Sequence, residues 1–381
     1  MTNTSPRFNL GFATASVSAT FSSPQQVVQL ADGGILVAGL ADDGTGYRFC
    51  VAKFTAEGIL DTSFAATGIT TVPALGGGEA YDLVIDAGGN IIVAGLSDAG
   101  GSFALVRLLP SGEADTSFGV GGAVIDLPTT DMNLGRTVLL DDVGNIILVG
   151  TGGPAGDTDF ILRRYDSSGN LDTTFGTGGL VRTEITGAGQ PDTAQHAVML
   201  ADGKIIVVGS TFNGHDTDAV IVRYNSDGSI DATFNASSGT PGMLVSSGSS
   251  ADEVNRNVAV LPDGSLVVVG GANAADVFAG GSDIRVMKYD STTDTVTYLH
   301  IEDLGTSEEG RSVCVLPDGR FLVAGISYGG LGEVQCVIAQ YDEFGALDTA
   351  GFGNGNGYVI TNFPQFEGVE VGDDDPGPVQ V

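Results

Sequence analysis

Carboxylates, guanidinium groups and one imidazole recur at matched places along the chain, each set just ahead of an apolar segment. Glu79, Asp131, Asp192, Asp252 with Glu253, and Glu308 with Glu309 come first in each set. Tyr81, Arg136, Gln195 with His196, Arg256 with Asn257, and Arg311 follow within a few residues, and Gln25 with Gln26 holds the matching place nearest the start. Groups of both signs gathered round one opening suit a sugar, a cation or a polar peptide. Pairing between neighbouring segments is the structural alternative. The same carboxylates would also serve a glycan hydrolase or lyase, in which a pair such as Glu79 and Glu309 divides the acid and base roles.

Other candidates carry less. Asp157 and Asp159 flank Thr158, and Asp216 and Asp218 flank Thr217, in Gly-containing loops. Such pairs could hold Ca2+ through oxygen ligands, although neither has the spacing of an EF-hand loop and turn capping is the competing role. The three histidines, His196, His215 and His300, fall at three different repeat positions. The chain lacks a His-Glu-x-x-His pair and a phosphate loop. Non-catalytic binding is therefore the preferred reading, with the hydrolase or lyase as the alternative. A second charge register is internal. Lys53, Arg107, Arg164, Arg223 and Lys288 share one position, which Gln340 breaks, and Asp61, Asp115, Asp172, Asp231 and Asp348 share another a few residues on. Structural ion pairs are expected there, with a basic ring for an anion as the sharper alternative.

The elements that must position these groups come back six times. The clearest copy is Leu200-Ala201-Asp202-Gly203-Lys204-Ile205-Ile206-Val207-Val208-Gly209. Asp-Gly between two apolar runs predicts a hairpin with a primed turn. The closing glycines, Gly39, Gly95, Gly150, Gly209, Gly270 and Gly325, lie 55 to 61 residues apart. The second strand of each hairpin is apolar at almost every position, so both of its faces must be covered. A third strand follows, such as Ala219 to Tyr224, then a turn module such as Gly169 to Phe175, then a fourth strand. The fifth repeat lacks the module and has Thr297-Tyr298-Leu299-His300-Ile301 instead.

A two-faced unit of four short strands cannot stand alone, and a ring of six leaves no apolar end. The expected fold is all-β, a six-bladed β-propeller of four-stranded antiparallel blades over residues 1–365. Phe12 and the segment Ala15 to Thr20 read as a surplus fourth strand, so closure by an N-terminal strand on the last blade is expected. Residues 366–381 form an acidic Gly/Pro-broken tail, expected to be flexible.

Three recurring motifs stand in fixed order: Leu-x-x-Asp-Gly-x-Ile-x-Val-x-Gly, an aromatic-ended strand with Arg before Tyr, and Gly-x-Leu-Asp-Thr-Ser-Phe-Gly. Together, over residues 22–362, they resemble the bacterial delta-60 repeat and, more distantly, NHL-type propellers. The resemblance implies a propeller and brings no agreed catalytic residues.

With 15 Lys plus Arg against 47 Asp plus Glu, the formal charge is -32. Such a surface repels nucleic acid and anionic membranes, which leaves a protein or carbohydrate ligand as the expected partner. No run approaches a transmembrane span, so no membrane insertion is expected. Cys50, Cys314 and Cys336 are odd in number and sit in apolar strands, which predicts buried thiols and no disulfide framework. Met1 to Arg7 precede no apolar h-region. An extracellular or surface location without a cleavable signal peptide is the expectation, with a cytoplasmic one left open.

Overall fold

The computed structural model describes residues 21–42, 46–72, 75, 77–97, 102–126, 132–236, 239–246, 252–273, 282–290, 293–300, 307–328, 334–362 and 379–380. Blade 1 consists of β1 (Phe21–Gln29), β2 (Ile35–Asp42), β3 (Tyr47–Phe54) and β4 (Ile69–Thr71). Blade 2 consists of β5 (Gly78–Ile85), β6 (Ile91–Ser97), β7 (Ser102–Leu108) and β8 (Ala123–Asp126). Blade 3 has β9 (Met132–Leu140), β10 (Ile146–Gly153), β11 (Asp159–Tyr165) and β12 (Leu180–Thr183). Blade 4 has β13 (Asp192–Met199), β14 (Ile205–Phe212), β15 (Thr217–Tyr224) and β16 (Met243–Val245). Blade 5 has β17 (Glu253–Val260), β18 (Leu266–Asn273), β19 (Ser282–Asp290) and β20 (Thr295–His300). Blade 6 has β21 (Ser307–Val315), β22 (Phe321–Tyr328), β23 (Val334–Tyr341) and β24 (Tyr358–Asn362), and β25 (Val379–Gln380) pairs in parallel with β1.

In every blade, sequence neighbours are sheet neighbours and run antiparallel. The first strand of each of blades 2 to 6 packs on the first three strands of the blade before it. The protein is thus an all-β, six-bladed propeller whose first strands surround a central channel.

The hairpin turns differ from the expected primed type. Gly203 N–H donates to Leu200 O at 2.9 Å, Leu200 N–H donates to Lys204 O at 2.8 Å, and Gly203 takes φ +79°. That is a type I turn followed by a left-handed glycine, a three-residue loop in place of a two-residue one. The sequence signal was sound because either turn needs a positive φ at the glycine. The same two bonds recur at the other five hairpins.

The internal charge register does form ion pairs. Lys53, Arg107, Arg164 and Arg223 meet Asp61, Asp115, Asp172 and Asp231 at 2.7 to 3.3 Å, and the Gln340 amide donates to Asp348 at 2.7 Å. Hydrogen bonds from the Ser117 and Thr174 hydroxyls, aided by the paired guanidinium groups, hold Asp115 and Asp172 below the usual carboxylate range. The pairs also join blades. Arg164 donates to Ser226 O in the next blade at 2.8 Å, and Lys288 donates to Glu343 O at 3.0 Å. Beneath Arg107, Arg164 and Arg223 lie the rings of Phe118, Phe175 and Phe234, 4.7 to 5.0 Å away. Each of these phenylalanines closes a turn module and plugs the cleft to the next blade. In blade 5, which lacks the module, Leu299 of β20 stands against Gly345 instead.

Apolar clusters join blade 1 to 2, 2 to 3, 3 to 4, 4 to 5 and 5 to 6. In blades 2 to 5 the second strand is buried on both faces through its apolar run. In blade 1, Ile35 and Val37 are only half-buried, as are Leu322 and Ala324 in blade 6. Among the described residues no comparable cluster joins blade 6 to blade 1. The N-terminal strand expected over Ala15 to Thr20 lies outside the described residues, and blade 6 draws its fourth strand from its own end. Of the expected tail, only Val379–Gln380 are described.

Candidate functional site

Each innermost strand carries one extra residue opposite its closing glycine. On β5, Ala80 pairs with Gly95 and Asp82 with Ala94, so Tyr81 is left over. The same slip leaves out Gln25, Arg136, Gln195, Arg256 and Arg311 on the other first strands. These are β-bulges, and they explain the glycines. A Cβ on Gly209 would stand 2.0 Å from Thr193 O, and one on Gly150 would stand 1.8 Å from Leu134 O. Because the bulge presses the two backbones together, only glycine fits opposite it.

The bulge fixes which side chains meet the channel. Gln25, Tyr81, Arg136, Gln195, Arg256 and Arg311 are partly exposed, while the next residue along, Gln26, Asp82, Thr137, His196, Asn257 or Ser312, is buried. Two groups of channel residues form. Between blades 2 and 3, the Tyr81 hydroxyl donates to Glu79 Oε2 at 2.6 Å, and the Arg136 guanidinium stands 5.1 Å over the Tyr81 ring. Among the described residues, the buried Arg136 Nε has no hydrogen-bond partner. Between blades 5 and 6, on the opposite side of the ring, Glu309 accepts from Arg256 at 2.6 Å and lies 2.9 Å from Arg311. Among the described residues of these two groups, three guanidinium groups stand against two carboxylates.

The other sequence candidates lie elsewhere. Asp131 is outside the described residues. Asp192 is buried and takes hydrogen bonds from Ile185 N–H and the Thr211 hydroxyl. Glu308 is buried against the Ser327 hydroxyl, and Asp252 accepts from Thr217 N–H at 2.8 Å. His196 lies behind the wall, and Gln195 takes its place at the channel. Of the four loop aspartates, Asp157 accepts from Gly189 N–H, Asp159 pairs with Arg182, and Asp216 and Asp218 both accept from the Asn213 amide. Among the described residues no three His, Cys, Asp or Glu side chains meet in a metal-holding group. Cys50, Cys314 and Cys336 are free thiols. No helix among the described residues is long and apolar enough to cross a membrane. A separate hollow of about 250 Å³ on blade 5 is lined by Glu253, Asp283, Arg285 and Tyr298. Its buried Arg285 is already engaged by Asn255 at 2.6 Å and Glu253 at 3.6 Å.

The groups with shifted titration are structural. Burial pushes Asp82 up to about 6, against hydrogen bonds from Val138 N–H, the Gln26 amide and Leu83 N–H. Burial likewise raises Asp192 to about 6, and it drives His196 down to about 4 against a backbone hydrogen bond with Val258. His196 is therefore neutral in the fold but charged in the unfolded chain below pH 6.5, so it favours the fold above that pH and withdraws support as pH falls toward 4. Asp82 and Asp192 act in the opposite sense: their support is full below pH 3.8 and fades as pH rises through 6. Replacing His196 with Gln isolates one contribution. Between pH 7 and pH 4 the stability gap between wild type and variant should shrink by about 3 kcal/mol in urea melts. A constant gap would mean that His196 is solvated.

Four segments, residues 30–64, 89–118, 144–175 and 200–234, match a family model described as a domain of unknown function (DUF5122) beta-propeller. Each match ends on a plug phenylalanine. No curated protein sequence matches the chain. Among solved structures, an ulvan lyase of polysaccharide lyase family PL25, bound to -[GlcA(1-4)Rha3S]-, aligns at 12% identity with a TM-score of 0.51, covering 88% of this chain and 83% of that one. A puromycin-hydrolyzing peptidase of Mycobacterium tuberculosis aligns at 11% identity with a TM-score of 0.49, over 90% and 52% of the two chains. The propeller domain of the trilobed protease of Pyrococcus furiosus aligns at 10% identity with a TM-score of 0.44, over 84% and 82%. At these identities the likeness is one of fold. The ring of blades and the family match together define the class: this is a β-propeller built from a repeated blade.

Proposed function

We propose that the protein is a non-catalytic binding propeller of a bacterial, exported or surface-located protein. In this reading its channel mouth takes a polar saccharide bearing acidic groups. The bulge ring carries the reading, because it turns Tyr81, Arg136, Gln195, Arg256 and Arg311, with Glu79 and Glu309, toward one channel. Arg136 offers an unused donor, and a guanidinium group suits a carboxylate or sulfate. Catalysis fits less well. Glu309 is clamped by two arginines, Glu79 is bonded to Tyr81, and Asp82 and Asp192, whose pKa burial raises, lie behind the wall with hydrogen-bond donors already in place.

Calorimetric titration of the full chain with an oligogalacturonate and with its neutral counterpart tests this, alongside an assay for chain cleavage. Saturable binding of the acidic oligomer without cleavage is expected. Arg136→Gln should weaken it about tenfold, close to the value of one charge-assisted hydrogen bond. Cleavage of the oligomer would establish the hydrolase or lyase alternative, and equal binding by the Arg136 variant would remove the channel mouth as the site.

A further inference from the structure

Blade 5 departs from the other five at one place in its sheet. Opposite the closing glycine, the third strand carries Cys50, Ala104, Ile161, Val220 and Val337 in blades 1, 2, 3, 4 and 6, but Arg285 in blade 5. The first strand carries Pro24, Ala80, Gly135, Ala194 and Gly310 at that level, but Asn255 in blade 5. The fourth strand departs too. β20 has six residues where the others have three to five, and it sets Tyr298 opposite Met287, two residues on from Arg285. A guanidinium and an amide at a core position cost desolvation that an apolar pair would avoid. The three departures meet in one network. Asn255, 1% exposed, donates its amide to Val220 O of blade 4 at 3.0 Å and accepts from Arg285 Nη1 at 2.6 Å. Arg285 is thereby held in place, 9% exposed, with its guanidinium 5.2 Å over the Tyr298 ring. Among the described residues the Asn255 bond is the one short contact of a group with five N–H donors, since Tyr298 Oη stands 3.5 Å and Glu253 Oε2 3.6 Å from Nη2. Arg285 lines the hollow of about 250 Å³, together with Glu253, Ala272, Asp283, Tyr298 and Leu299.

We infer that this hollow is a binding site for one neutral pyranose unit of a glycan, separate from the channel mouth. Size limits the occupant first. A volume of about 250 Å³ holds roughly eight waters, which is room for one sugar ring and not for a chain. Charge then excludes ions. An anion would face Glu253 and Asp283, and a cation would face Arg285. A neutral hydroxyl both donates and accepts, so a sugar uses the two carboxylates as acceptors and the guanidinium as a donor at once. Tyr298 supplies the remaining element. It lines the hollow yet is 63% exposed, and the guanidinium occupies one side of its ring. The other side offers a flat, amphipathic surface to the C–H face of a pyranose. None of these residues belongs to the bulge ring, so this site stands or falls independently of the channel.

Calorimetric titration of the full chain with methyl glycosides of neutral hexoses and 6-deoxyhexoses tests this. At least one should bind saturably with a Kd of about 1 mM, the range of a small ligand held by a few hydrogen bonds. The uronic acid and the 2-amino counterpart of that sugar should bind at least about tenfold more weakly. Tyr298→Ala should weaken binding about tenfold, and Tyr298→Phe, which keeps the ring, should restore it. Because Tyr298 is exposed, both variants should melt within about 2 °C of wild type. Arg136→Gln, at the channel mouth, should leave this binding unchanged. No saturable binding by any of the glycosides up to about 50 mM, undiminished binding by the Tyr298→Ala variant, or tighter binding of either charged counterpart would overturn the inference. Loss of binding in the Arg136 variant would move the sugar to the channel mouth and overturn it as well.

Discussion

Gly150→Ala is expected to cost at least about 4 kcal/mol, more than any surface change in this protein. The added methyl would stand 1.8 Å from Leu134 O and 2.8 Å from Leu134 C. Both are backbone atoms of β9, held by the ladder to β10 on either side of the bulge. No rotamer change relieves such a clash. The strand would have to lose its bulge, and a slip of one residue would turn every later side chain of β9 to the wrong face. Gly239→Ala is the control, since a Cβ there meets nothing within 4 Å, and its cost should stay within about 0.5 kcal/mol. Urea unfolding of the two variants checks both numbers. A Gly150 variant within about 1 kcal/mol of wild type would show that the bulge can relax at little cost.

Phe175→Ala comes next, at about 3 to 5 kcal/mol. The ring is fully buried in the cleft between blades 3 and 4. It lies under the Gly228 turn, where an added Cβ would already be 2.9 Å from the ring, and under the Arg164 guanidinium at 4.7 Å. Removing it leaves a cavity walled by two backbones that cannot close, and it takes away the face on which Arg164 rests, worth a further 0.5 to 1 kcal/mol or about that. Phe352→Ala removes the same residue type from a half-buried position in blade 6 and should cost less than about 1.5 kcal/mol. Equal costs at the two positions would contradict the difference between a sealed interface and an open one.

Much of this architecture was legible in the residues because it repeats. The hairpin, third strand and turn module recur at fixed spacing, so six copies vote on each assignment. The pairing of Arg164 with Asp172 followed from two registers that keep the same offset in blade after blade. What stayed hidden was backbone irregularity. Tyr81, Arg136, Arg256 and Arg311 stand partly exposed at the bulges, whereas His196 is buried, because a bulge at Gln195 shifts the alternation by one. The signal for it was present in the closing glycines, which also read as ordinary strand ends. Asp192 and Glu308 went the same way: acidic residues ahead of a strand suggest a solvated loop, yet here they satisfy hydroxyl and N–H groups inside the wall. The primed turn was misassigned because Asp-Gly serves two loop lengths with one shared requirement. The exposure of Ile338 in blade 6, 37%, could not be read from that residue, since its apolar run is the same as in the five sealed blades.

The bulge ring is what turns a scaffold into a channel with chemistry, and thiol labelling tests it directly. In a background with Cys50, Cys314 and Cys336 replaced by alanine, Gln195→Cys and His196→Cys differ by one position in sequence and by a wall in space. The account predicts that the thiol at 195 reacts freely with a water-soluble maleimide, while the thiol at 196 reacts at least about tenfold more slowly, at the rate at which the strand opens. Equal rates, or faster labelling at 196, would mean that β13 runs straight past Gly209 and that the channel wall is not built as described.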